Sequence, residues 1–103
     1  MTAMSFQPGT IVVSKAGRDA GRPFTVLEWD GGAYVLLCDG DLRKVQKPKK
    51  KKTKHVRRTP HILPYVEEDY RAGRNTLDAR IRKDLEFLGY PNRDKAFEEK
   101  KEG

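Results

Sequence analysis

The residues best equipped for chemistry in this sequence are cations. Arg43, Lys44, Lys47, Lys49, Lys50, Lys51, Lys52, Lys54, Arg57 and Arg58 fall between Leu42 and Arg58, with no acid among them. The 103-residue chain has 22 Lys and Arg against 15 Asp and Glu, a net charge of +7. Outside that segment the balance is 12 against 15, a net of −3, so one stretch carries the whole positive excess. A localised positive field attracts a polyanion, and phosphate backbones are the commonest one. His55 lies inside the same stretch and could donate to, or stack on, a nucleic acid.

A second cationic group sits earlier, where Lys15, Arg18 and Arg22 ring a short connection that also holds Gly17 and Gly21. Glycine reaches backbone angles that other residues resist, and lets a loop approach a partner closely. Spacing alone fits an ordinary connection that happens to be basic just as well as a binding loop.

Other chemistries find few residues to work with. No glycine-rich loop ends in Gly-Lys-Ser/Thr, so nucleotide binding of that type has no sequence support. His55, His61 and Cys38 fail both the ligand count and the spacing of a metal site. Cys38, the only cysteine, cannot form an intrachain disulfide and reads as a small core residue. Asp39 and Asp41 flank Gly40 and read as turn formers rather than a catalytic pair. No base and nucleophile can be assembled, so the expectation is a non-enzymatic protein with no catalytic residue, cofactor or metal. Nine aromatic residues are scattered along the chain without a paired stacking platform. Trp29 and Tyr34, either side of Asp30-Gly31-Gly32, are the two expected to be exposed.

The elements that must carry these cations separate into three regions. From Thr10 to Val45 the chain reads as β-structure: Thr10–Lys15, Phe24–Trp29 and Ala33–Cys38, with Leu42–Val45 as a fourth short strand. Strands this close, joined by tight turns, predict a meander curling into a small barrel over residues 8–59. Residues 46–54, Lys-rich and self-repelling, read as a mobile basic loop that contributes little to stability. A short strand at His55–Arg58 then closes the barrel. Residues 60–91 form a helical extension packed on the barrel. Its first helix runs from Leu63 to Ala72, with Pro64 in its first turn and Gly73 as its stop. In the second, Leu77, Ile81, Leu85 and Leu88 recur on one face, and Gly89 ends it. Residues 92–103 read as a flexible charged tail. The start of the chain does not look like a signal peptide, and no apolar run approaches the roughly 20 residues of a membrane helix. A soluble cytoplasmic monomer is expected.

One stretch carries a family resemblance. The apolar strand Gly9–Ser14, then Lys15-Ala16-Gly17-Arg18-Asp19-Ala20-Gly21-Arg22, then Pro23–Leu27, resembles the KOW motif of certain large-subunit ribosomal proteins and transcription elongation factors. Cys38–Val45 and the lysine run look like small bacterial KOW-domain proteins described as RNA-binding. The resemblance spans about Pro8 to Arg58. It implies an SH3-like barrel that contacts RNA or another partner through its loops, with Lys15, Arg18, Asp19, Gly21 and Arg22 in the motif loop. Asp19 would order that loop, because a carboxylate repels phosphate.

Together these readings predict a mainly β protein, an SH3-like barrel followed by two short helices, that docks on structured RNA such as ribosomal RNA. The loop would set orientation and the lysine-rich segment, ordered on binding, would supply affinity. The expected contacts are Lys15, Arg18, Arg22, Arg43, Lys44, Lys47, Lys49, Lys50, Lys51, Lys52, Lys54, His55, Arg57 and Arg58. The rival reading is an adaptor for proteins of the transcription or translation machinery, including ribosomal proteins, which an exposed Leu/Ile face on the last helix would favour.

Overall fold

The computed structural model describes residues 5–90. It is mainly β: five antiparallel strands in one sheet, followed by two helices. The strands are β1 (Thr10–Ser14), β2 (Pro23–Trp29), β3 (Tyr34–Cys38), β4 (Lys49–Lys52) and β5 (Val56–Ile62), and the helices are α1 (Val66–Ala72) and α2 (Leu77–Phe87). The sheet order is β4-β3-β2-β1-β5. Its two outer strands are consecutive in the chain and joined by a single 3₁₀ turn, Thr53–His55. A three-residue link can join the two edges only if the sheet curls until they approach, which gives a small barrel-like domain. Register shifts in β5 between Arg58 and Ile62, opposite Val12 and Thr10, and in β2 between Val26 and Glu28, supply local bends of the kind curling requires.

Alternation along the strands sorts the apolar residues into two layers. Val12, Phe24, Val26, Val35, Leu37 and Val56 fill the barrel interior with Phe6. Their chain neighbours Ile11, Leu27 and Cys38 join the opposite cluster, under Leu63, Val66, Leu77, Ile81 and Leu85. Both faces of the sheet's central strands are therefore covered, one by the barrel wall across from it and the other by the helices. The stripe on α2 is buried at Leu77, Ile81 and Leu85, whereas Leu88 stays 38% exposed. Most of the face that an adaptor would need is thus spent on packing. Burying side chains of this size stabilises the docked helix by about 1.5–3 kcal/mol each.

Several segments depart from expectation for identifiable reasons. Leu42–Val45 forms no strand. Two of its backbone donors have other acceptors: the Asp39 carboxylate takes the N–H of Arg43, as it does that of the preceding Asp41, and Asp78 takes that of Val45 at 2.8 Å. The basic stretch 46–54 is not a loop throughout, since Lys49–Lys52 pairs with β3 as β4. The closing strand runs on to Ile62, with Pro60 accommodated on an edge strand. The first helix starts at Val66, not Leu63, and the Leu63 N–H donates to the Gly9 carbonyl at 2.8 Å. Gly73, at φ +67°, ends that helix in the left-handed conformation, as its glycine suggested. The charged tail expected over 92–103 lies outside the described residues. Among the described residues no helix is long and apolar enough to cross a membrane.

Gly40 joins the sheet to α2. It adopts φ +77°, and a Cβ there would stand 2.1 Å from the Asp78 carbonyl oxygen. Backbone strain and steric overlap therefore act together. Gly40→Ala should destabilise the domain by about 2 kcal/mol or more, well beyond a simple glycine-to-alanine strain of roughly 1 kcal/mol. Urea denaturation of the variant beside the wild type checks this.

Candidate nucleic-acid interface

The lysine run owes its strand geometry to β3. Four identical residues offer no pattern of their own, and lysine is a poor strand former. Antiparallel pairing sets Lys52 opposite Tyr34, Lys51 opposite Val35, Lys50 opposite Leu36 and Lys49 opposite Leu37. Val35 and Leu37 face the barrel interior, so Lys49 and Lys51 share that inner side, and Lys50 and Lys52 stand on the outer one.

The two classes of lysine behave differently. Lys51 is buried, and its Nζ donates to Ser14 Oγ at 2.7 Å, the Ala16 carbonyl at 2.8 Å and Asp19 Oδ1 at 2.7 Å. An ammonium has three donors, and all three are used. Lys49, half-buried, pairs with the other Asp19 oxygen at 3.0 Å. Ser14 Oγ also donates to Asp19. Burial alone would push the Asp19 carboxyl up. The hydrogen bonds from Lys51, Lys49 and Ser14 outweigh it and hold the group well below the usual carboxylate range. The acid of the β1–β2 loop thus clamps that loop onto β4, the ordering role expected of it.

The rest of the loop is built around this clamp. Gly17 and Gly21 take φ +80° and +87°. The Gly21 N–H returns to the Ser14 carbonyl at 2.8 Å and the Arg22 N–H to the Asp19 carbonyl at 2.9 Å. The Lys15 N–H donates to the His55 carbonyl at 2.7 Å, and the Thr53 N–H to Ala33 at 2.8 Å. The β1–β2 loop, β4 and the 3₁₀ turn are therefore in mutual contact.

These contacts divide the fourteen expected binding residues. Lys15, Arg18, Arg43, Lys44, Lys47, Lys50, Lys52, Lys54, Arg57 and Arg58 are exposed, and Lys49 and His55 are half-buried. Arg58 also donates to the Ser5 carbonyl at 3.0 Å. The structure brings Lys15, Arg18, Lys49, Lys50, Lys52 and Lys54 onto the three touching segments. Arg43, Lys44 and Lys47 lie in the β3–β4 connection, and Arg57 and Arg58 on β5. The remaining two, Lys51 and Arg22, are buried. Lys51 is turned inward and saturated. Arg22 is buried, with Nη2 3.3 Å from Asp39 Oδ2, and ties the base of the loop to the turn after β3. Both charges are engaged inside the fold. Nothing in a single sequence separates Arg22 from Arg18, because the residue that decides, Asp39, lies 17 positions away. Trp29 and Tyr34, expected to be exposed, are half-buried.

The chain matches no protein-family model and no curated protein sequence.

Removing one partner of a buried pair leaves the other charge stranded. Asp19→Ala should therefore cost about 3 kcal/mol, and adding Lys51→Met should recover most of that loss. Equilibrium unfolding of the two variants measures both steps. The pH dependence has a fixed sign. The folded Asp19 carboxyl is depressed below an ordinary value of about 3.9, so its contribution is complete above that value. It is lost as pH falls towards the folded value, so the stability gap between wild type and Asp19→Ala should narrow from about pH 5 to about pH 2.

Arg22→Ala strands the buried Asp39 carboxylate, so it should lower the melting temperature markedly, at a cost of about 3 kcal/mol. Lys54→Ala, at an exposed lysine of the 3₁₀ turn, should change it little. Paired thermal melts of the two variants check the contrast.

Proposed function

We propose that the protein is a non-enzymatic RNA-binding module that docks on structured RNA, ribosomal RNA being the natural candidate. One observation carries this reading. Outward-facing cations gather on three segments in contact, and Asp19, the only acid within 15–22 and 42–58, is turned onto Lys49 and Lys51. The exposed side of these segments thus presents Lys15, Lys50, Lys52 and Lys54 with no further acid supplied by the segments themselves. Such a surface suits a phosphate backbone better than a protein partner, whose interface core is depleted in charge. The KOW-like pattern of the β1–β2 loop supports the same reading independently of the charge. The geometry of β4 refines it: Lys50 and Lys52 are presented from a paired strand, so these two lysines need little ordering on binding. A protein that works on the ribosome works in the cytoplasm, which is where this reading puts it.

Two measurements test the proposal. With about five phosphate contacts on duplex-like RNA, log K should fall with log[salt] at a slope of about −4.5. A flat response would overturn the electrostatic basis. Replacing Lys50, Lys52 and Lys54 with serine should leave the melting temperature nearly unchanged and reduce the slope by about 2 to 3. An unchanged slope would remove these three residues from the interface.

A further inference from the structure

Beside the outer lysines of β4 lies a cleft that phosphate contacts leave unused. It has a volume of about 280 Å³, and Trp29, Tyr34, Leu36 and Lys50 line it together with Glu28 and Asp30. Strand register puts Tyr34, Leu36, Lys50 and Lys52 on one face of the β3–β4 pair. Lys50 Nζ stands 4.6 Å from the centroid of the Tyr34 ring, a cation–π contact.

The cleft is built before any ligand arrives. The Trp29 indole N–H donates to the Gly32 carbonyl at 3.1 Å, and the Phe6 ring meets Trp29 edge-on at 5.9 Å. Asp30 Oδ1 accepts the N–H groups of Gly32 at 2.7 Å and Tyr34 at 3.2 Å, which fixes the carboxylate at the turn. The Tyr34 ring, the Leu36 side chain, the Lys50 ammonium and the fixed Asp30 carboxylate therefore border a space that suits a single ring system better than a drug-sized ligand, while Trp29, paired with Val35 and packed on Phe6, flanks it from the inner side.

We propose that this cleft receives one unpaired nucleobase of the bound RNA, stacked on the Tyr34 ring, while Lys50 leaves the ring for that nucleotide's phosphate. The inference rests on the RNA-binding reading and adds to it a requirement for a bulged or looped nucleotide. Each part of the cleft answers a part of the ligand. The base plane matches the aromatic and aliphatic surfaces, the phosphate matches Lys50, and exocyclic amino groups match the carboxylate. Adenine, cytosine and guanine carry such an amino group and uracil does not, so uridine should be the weakest occupant.

The test uses the full chain and two RNA hairpins of equal length, one fully paired and one with a single bulged adenosine. The wild type should bind the bulged hairpin about tenfold more tightly, as expected for one stacked base. Trp29, the only tryptophan, should be quenched by the bulged hairpin and not by the paired one. Tyr34→Leu should erase the preference while its thermal melt stays cooperative, and Tyr34→Phe, which keeps the ring, should retain it. Equal wild-type affinity for both hairpins, or a preference that survives in Tyr34→Leu, would overturn the base cleft and leave the RNA-binding reading standing. Failure to bind either hairpin at low salt would overturn both. A proline-rich peptide that quenches Trp29 when neither hairpin does would assign the aromatic surface to a protein ligand, and would also overturn the proposal.

Discussion

The ion cluster at Asp19 is the constraint on which the rest of the arrangement depends. One carboxylate in the β1–β2 loop receives Lys51 and Lys49 from β4 and Ser14 from the end of β1. It fixes the loop, and it ties β1 to a strand that stands at the far edge of the sheet. Without it Lys51 would be a buried ammonium held by neutral oxygens alone, a costly state. The interaction therefore helps close the domain and explains how four consecutive lysines can form a strand. Two of the four share the Asp19 carboxylate inside the closure, which offsets part of the repulsion of the run and leaves the outer pair to face solvent.

A second buried pair, Arg22 with Asp39, works in the same direction on the other side of the loop. The Asp39 carboxylate holds the turn after β3 through the N–H groups of Asp41 and Arg43 as well as Arg22. Asp78, on α2, extends the same device by accepting from Val45. Charged groups thus organise the loops, while apolar burial organises the strands and helices. Buried ion pairs are weak evidence of added stability compared with well-packed apolar residues. Their value here is positional: they determine where two connections lie, and one of those connections carries the candidate interface.

The sequence makes legible what depends on local pattern. β1, β2 and β3 follow from β-branched runs between turn residues, and α2 from the recurrence of Leu77, Ile81 and Leu85. The turn at Gly40 and the stop at Gly73 follow from residue type. What depends on distant partners is not legible. Four lysines contain no alternation of type, so their inward and outward sides emerge only from the register with β3. Leu42–Val45 has strand-like residues but finds carboxylates where a strand would need a neighbour. Arg22 has the appearance of a surface cation until Asp39 is placed beside it.

The same distinction bears on how the candidate interface would bind. A free lysine-rich loop has strong charge but must lose chain entropy when it settles on a ligand. A lysine on a paired strand has already lost its backbone freedom during folding, so only side-chain ordering remains. The outer lysines of β4 also meet an aromatic surface, since Lys50 rests on Tyr34. A lone phosphate would draw Lys50 away from that ring and uncover apolar surface, an opposing contribution. A nucleotide that presents a base together with its phosphate would cover the ring as the lysine leaves. Binding electrostatics and burial of the aromatic face are then satisfied by one ligand, and this coupling distinguishes the β4 surface from a basic patch without an adjoining ring.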